Sequence, residues 1–223
     1  MIDRWNKARE DTGNINYVIE LIRKGMFDIR GKRGKKYIFN SAGKQRRRNT
    51  RGEGKIEEQL LSAHDSTKKS ILLKNGKVIK RIHFISNAVG LGSRKKGNVI
   101  TDLFGIDEIG SPIAGEVKVN HQNPWYAVVE CVEQVALMRA DRKNLLECLY
   151  NKIPREIRGV GAWGLVIAPY KYWQKPEFAS ANKLIERLRR KTKIRICCVV
   201  YNPKDPVDLE IICGFPPSTR QAV

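Results

Sequence analysis

A chain of 223 residues with 41% hydrophobic content is long enough for one large domain, or for one domain plus an extension. Its net charge of +20 and pI near 10.0 favour a polyanionic partner through counterion release and steering. No apolar run reaches the length of a membrane span and no N-terminal signal pattern is seen, so a cytoplasmic protein without a membrane partner is expected. The five cysteines form no C-x-x-C pair and the histidines are scattered at His64, His83 and His121, which argues against zinc and for reduced, buried thiols.

Asn14 or Asn16 can cap a helix running to about Met26, with Ile15, Val18, Ile19, Leu21 and Ile22 as its apolar stripe. Composition then shifts. Residues 23–55 hold thirteen Lys or Arg against Asp28 and Glu53, punctuated by glycines. This stretch reads as a solvated, disordered loop or as an arm that orders on a nucleic-acid backbone, and the two readings are compatible. Residues 1–52 are taken as a basic N-terminal extension or arm and 53–223 as an α/β domain.

Residues 56–63 have helical spacing, with Ile56, Leu60 and Ala63 on one side and Glu57 and Glu58 in the first turn, where acids suit the helix dipole. Residues 70–73 and 77–85 read as strands joined by the turn Asn75-Gly76. Asn87 to Asn98 is predicted as a loop containing Gly90, Gly92, Arg94, Lys95 and Lys96. It reads equally as a plain surface loop or as one that meets phosphates through backbone N–H groups and lysines.

Residues 99–119 carry the most information. They predict a β-hairpin, Val99–Ile106 and Ile113–Val119, around a three-residue loop Glu108-Ile109-Gly110 whose last residue is left-handed. A loop centred on Ile109 sets Asp102 opposite Glu116, and Lys118 shares a face with Glu116. Two carboxylates that close repel by roughly 1 kcal/mol in water and about 4 kcal/mol at an effective dielectric near 20. A divalent cation turns that penalty into binding, so the trio reads as a metal site with a lysine beside it.

Asn123 followed by Pro124 is a strong helix start, and the helix is predicted to reach about Ala140. Trp125, Val128, Val129, Val132, Val135 and Ala136 form its apolar stripe. Tyr126, Glu130 and Gln134 stack at spacings of four, and Glu133 reads as an exposed flank. Beyond it come a strand over 163–168, an amphipathic helix over 179–190 with Lys183, Arg187, Arg189 and Arg190 outward, and strands over 194–201 and 209–215. The alternation implies an α/β fold, a mixed central sheet flanked by helices.

Asp102, then Glu116-Val117-Lys118 fourteen positions later, resembles the PD-(D/E)xK nuclease superfamily over roughly residues 53–170, with Thr101 where the family's name has Pro. Two further acid-x-Lys triplets, Glu53-Gly54-Lys55 and Asp141-Arg142-Lys143, lie outside any strand pattern and are set aside. The resemblance implies a restriction-endonuclease-like core and Mg²⁺, with Mn²⁺ as a substitute, held by Asp102, Glu116 and the Val117 carbonyl. It implies that Lys118 orients or activates the attacking water. It also implies an extra acid from the first core helix, for which Glu57 is chosen, and a polar group from the later helix, Gln134 or Glu130.

The expected function is therefore a Mg²⁺-dependent DNA endonuclease acting on duplex or branched DNA, and the resemblance allows a homodimer because two cuts need two sites. Lys32, Arg33, Lys35, Lys36, Arg46, Arg47, Arg48, Arg94, Lys95 and Lys96 would grip the phosphate backbone, which positions the duplex without specifying sequence. The competing reading is a non-catalytic, basic nucleic-acid-binding protein in which Asp102, Glu116 and Lys118 make only cross-strand contacts. Such contacts contribute about 0.2–1 kcal/mol each.

Overall fold

The computed structural model describes residues 2–25, 52–67, 70–91, 99–119, 122–140, 142, 161–202, 204–214 and 216. Its elements are α1 (Ile2–Glu10), α2 (Ile15–Arg23), α3 (Glu53–Thr67), β1 (Ile71–Asn75), β2 (Lys77–Leu91), β3 (Val99–Asp107), β4 (Pro112–Val117), α4 (Pro124–Ala140), β5 (Trp163–Ala168), a 3-10 turn (Tyr170–Gln174), α5 (Glu177–Lys191), β6 (Ile196–Asn202) and β7 (Asp205–Cys213). Lys32 to Arg48, Arg94, Lys95 and Lys96, expected to contact phosphates, lie outside the described residues.

The expected sheet flanked by helices around a restriction-endonuclease-like core is corrected by the strand order. The seven strands run β1 to β7 in sequence and close into a barrel. The closing seam pairs β1 with β7 in parallel, Leu72↔Asp208 to Lys74↔Glu210. Closure gives every strand a hydrogen-bonded neighbour on each side over part of its length. The Lys74 ammonium and Asp208 carboxylate form an ion pair across the seam, and Gly76 N donates to Glu210 Oε1 at 3.3 Å.

Strand alternation gives the barrel two apolar faces. Ile71, Leu73, Ile82, Phe84, Leu103, Ile113, Leu165, Val199 and Leu209 form one cluster to which all seven strands contribute, and it takes in Ile56 and Leu60 of α3. α3 touches β1, β2, β4 and β7 and therefore lies across the ring. The opposite face of β3 to β6, including Phe104, Ala114, Val166, Ile196 and Cys198, packs against α1, α2, α4 and α5.

Two parallel steps place those helices. β4 pairs with β5, and β5 with β6, in parallel. Parallel neighbours need crossovers, and two right-handed crossovers advancing in one direction put α4 and α5 on one face. Asn123 caps α4 as expected, its Oδ1 accepting from Tyr126 N at 2.8 Å.

The hydrophobic pattern ran short in places. α3 begins at Glu53 rather than Ile56, and β2 continues through residues 87–91, which had been predicted as loop; Asn87 pairs with Leu103 and Gly90 with Ile100. Long-range pairing with β3 overrides the glycine's low strand preference there. Residues 2–25 of the expected extension pack into the main core: Trp5, Ala8, Val18 and Leu21 are buried, and Trp125 Nε1 donates to Ala8 O at 2.9 Å. Among the described residues no helix is long and apolar enough to cross a membrane.

Candidate active site

The β3–β4 hairpin has the register that a loop centred on Ile109 dictates: Leu103↔Gly115, Phe104↔Ala114, Gly105↔Ile113 and Ile106↔Pro112. Gly110 supplies the left-handed residue at φ +78°. Asp107 stabilises the loop by accepting from Ile109 N at 3.1 Å and Ser111 N at 2.7 Å.

Asp102 and Glu116 lie one step beyond the last paired residues. There the Asp102 carboxylate takes over from the ladder, its Oδ2 accepting from Val117 N at 2.9 Å. The buried Thr101 hydroxyl is shared between Leu103 O at 2.9 Å and Gly115 O at 3.1 Å, tying the two strands beside Asp102.

Phe104 and Ala114 point toward the helices. The two-residue period sends Asp102, Glu116 and Lys118 to the same side. α4 meets them there in antiparallel sense. Gln134 Nε2 donates to Glu116 Oε2 at 2.6 Å, and Glu130 Oε2 lies 3.3 Å from Lys118 Nζ. The Lys118 ammonium also bonds Glu116 Oε1. Glu116 is 2%, Lys118 6% and Gln134 0% exposed, so these polar groups interact in an environment nearly free of water.

Burial raises the Glu116 carboxyl well above its usual range, and Asp102 and Glu130 raise it further against the pull of Lys118. Burial raises Asp102 as well, opposed by Lys118 and by the Val117 N–H. Burial pulls the Lys118 ammonium down, but Glu116, Glu130 and Asp102 outweigh it and hold the amine above the ordinary lysine value.

α3 reaches this end of the hairpin through Glu53, whose Oε1 accepts from Val119 N at 3.4 Å. Sequence reasoning had set Glu53 aside and chosen Glu57, which lies one turn further on and is half-buried. The 3-10 turn brings Tyr172 to the rim, its hydroxyl donating to Asn123 O at 2.9 Å; burial raises its pKa, and the charges of Lys118 and Glu116 act on it. Tyr172 carried no sequence signal.

Glu133, expected to be exposed, is buried instead. Its carboxylate pairs with Arg9 of α1, whose guanidinium also sits 5.7 Å from the Tyr126 ring centroid. Burial pushes the Glu133 carboxyl up to about 7, and Arg9 opposes the shift without cancelling it. Periodicity gave no warning because α4 is packed on several sides at once.

The donor set suits Mg²⁺. Asp102, Glu116 and Glu130 are hard oxygen donors; Glu116 and Glu130 flank the Lys118 ammonium, Asp102 adjoins Glu116, and Glu130 Oε2 is buried without a hydrogen-bond partner. Among the described residues no group of three or more His, Cys, Asp or Glu forms a ready-made metal cage. An ion that keeps several of its waters needs only one or two carboxylates, to which the Val117 carbonyl can add.

No protein-family model, curated protein or solved structure matches the chain.

Proposed function

We propose that this chain is a Mg²⁺-dependent DNA endonuclease, with Asp102 and Glu116 as metal ligands and Lys118 assisting the attacking water. Mn²⁺ would substitute, and the setting would be cytoplasmic, on duplex or branched DNA. The reading rests on the site rather than on the barrel, since folds host many unrelated functions. The observation that carries it is a cluster in which Lys118 pairs with Glu116 and Glu130 while the Asp102 carboxylate adjoins Glu116. An acid facing an acid destabilises a hairpin unless a cation uses it.

A bound Mg²⁺ would supply Lewis-acid neutralisation of the charge developing at phosphorus and make water a better nucleophile. Gln134 fixes one oxygen of Glu116, and Val117 N fixes one oxygen of Asp102, so both carboxylates are pre-oriented. Lys118 is held protonated by its neighbours, so its role is to orient water and stabilise the pentavalent transition state. A general base would need a depressed pKa. Water oxygen bonds to phosphorus as the P–O bond to the leaving sugar oxygen breaks. The water gives up a proton and the leaving oxygen takes one.

One observation favours the second reading, a non-catalytic basic nucleic-acid-binding protein. Lys118 already bonds Glu116 and lies within ion-pair distance of Glu130, so part of the acidic cluster is neutralised from within. The two readings separate when supercoiled, linear, single-stranded and branched DNA are incubated with Mg²⁺ or EDTA, beside Asp102→Ala and Glu116→Ala. Metal-dependent cutting abolished in both variants supports the endonuclease. Tight, salt-sensitive binding without cutting, equal in all three proteins, overturns it.

A further inference from the structure

We propose that the outer face of α5, with the arginines at the end of α4, is a docking surface for the phosphate backbone of duplex nucleic acid. The inference rests on the chain being directed at nucleic acid, but not on its chemistry. α5 buries Ala181, Leu184, Ile185 and Leu188 and turns Lys183, Arg187 and Arg190 outward at spacings of four and three, so those three cations form one stripe. A cleft of about 410 Å³ separates the stripe from the α1–α2 turn at Gly13, Asn14, Ile15 and Asn16. Glu186 lines the same cleft and lies 3.5 Å from Arg190, but both side chains are more than half exposed. A pair so open contributes about 0–1 kcal/mol and yields readily to a phosphate.

Next to the stripe, Arg139 and Arg195 are held by neutral acceptors. Arg139 donates to Lys193 O, and Arg195 Nη1 is shared among Arg189 O, Thr192 O and Ile194 O at 3.2, 3.5 and 3.3 Å. Carbonyl oxygens orient a guanidinium without cancelling its charge. The bare Cα of Gly161 makes room for Arg139, since a Cβ there would lie 3.2 Å from Arg139 Nη2. Burial lowers the pKa of both arginines; Arg195 and Arg142 lower Arg139 further, and Arg189 lowers Arg195 further, which shows that these charges repel. Pre-oriented guanidinia with repelling neighbours are relieved by an anion that accepts two parallel N–H bonds, as phosphate does.

The chemistry of the face selects the partner. A protein partner is anchored by apolar and aromatic side chains, and a single strand by aromatic stacking. Among the described residues the exposed large hydrophobic is Tyr170, which lies outside the stripe. What remains is charge alone, which fits a duplex backbone read without regard to sequence. Arg139 follows Glu130 by nine residues on α4, about 13 Å at 1.5 Å per residue, so this surface is distinct from the carboxylate cluster.

The test is binding of the full chain to a labelled 30-base-pair duplex in EDTA across a series of salt concentrations. Wild type is compared with the Lys183→Gln/Arg187→Gln/Arg190→Gln triple variant and with Glu186→Gln. The triple variant is expected to flatten the plot of log affinity against log salt by about 2–3, near 0.9 per lost phosphate contact. Glu186→Gln is expected to bind more tightly. An unchanged slope in a triple variant with a wild-type melting curve overturns the docking surface and leaves the endonuclease standing. A changed slope without cutting in Mg²⁺ supports the surface and removes the chemistry. Tighter binding of polyglutamate than of the duplex overturns the surface in favour of an acidic protein partner.

Discussion

Gln134 Nε2 donates to Glu116 Oε2 at 2.6 Å, joining the middle of α4 to the end of β4, with both side chains closed off from water. The bond makes helix placement a condition of carboxylate placement. Gln134→Leu frees Glu116 to rotate while roughly preserving volume. Losing an outer partner of a metal ligand typically costs 10–100-fold in metal affinity or activity. The midpoint of a Mg²⁺ titration of cleavage should therefore rise by about tenfold or more. An unchanged midpoint would mean that Gln134 is only packing.

Lys118 stands between Glu116 and Glu130, and Lys118→Met leaves those carboxylates without their cation. Removing one partner of a buried pair costs about 3–5 kcal/mol. The variant should melt well below wild type in EDTA. Mg²⁺ should raise its melting temperature more than it raises that of wild type, because the metal replaces the lost charge. Equal melting of the two proteins in EDTA would sink the ion-pair account.

Glu133 has its carboxyl pushed up to about 7 by burial. The folded protein then holds a proton that the unfolded chain releases near its ordinary value of 4.5. Folding stability from this group declines as pH rises between those two values and is flat above the upper one. Urea unfolding from pH 5 to 8 should show a decline in wild type that is shallower in Glu133→Gln, because Glu116 and Asp102, also raised by burial, still contribute. Parallel pH profiles for the two proteins would refute the assignment.

Gly164 lies where β5 meets α4, and a Cβ there would come 2.5 Å from Cys131 Sγ, 2.6 Å from Ile196 Cδ1 and 2.9 Å from Val135 Cγ2. Gly164→Ala crowds Cys131 and Val135 of α4, at a cost of about 1–3 kcal/mol for overpacking. Because Glu130 and Gln134 ride on α4, activity should fall further than the stability loss explains, measured at a temperature where the variant remains folded. Full activity in a destabilised variant would separate helix position from catalysis.

Lys80 and Asp107 form a buried contact elsewhere in the barrel, Nζ to Oδ2 3.3 Å, with Lys80 2% exposed. Asp107 also receives Ile109 N, Ser111 N and Trp163 Nε1. Lys80→Met leaves that carboxylate hydrogen-bonded, whereas Asp107→Ala leaves the buried ammonium with Glu108 Oε1 alone, at 3.8 Å, and unties the hairpin loop. The unfolding free energy from denaturant titration should drop far more for Asp107→Ala, by about 3–5 kcal/mol. The reverse order would show that Lys80 carries the pair.

Much of the candidate site was legible because its signals are local. A glycine suited to φ > 0 ends the 108–110 loop, loop length sets register, and register opposes Asp102 to Glu116. Spacing by four then marked Glu130 and Gln134 as one face of α4, the face that meets Glu116 and Lys118. Glu53 was passed over because its triplet lies outside a strand, and Tyr172 because nothing nearby in sequence points to it.

By itself, then, the sequence determined the hairpin and its register, the cap and span of α4, and the alignment of acids and lysine on one side of a strand. Each follows from turn chemistry or periodicity over a few residues. Closure of the sheet, the cover of α1 over Glu133 and the α3 acid that reaches the β4 end come from long-range packing. The closing seam joins Lys74 to Asp208, 134 positions apart. A pairing that distant has no local signature, because its free energy comes from contacts formed only once the strands between are in place.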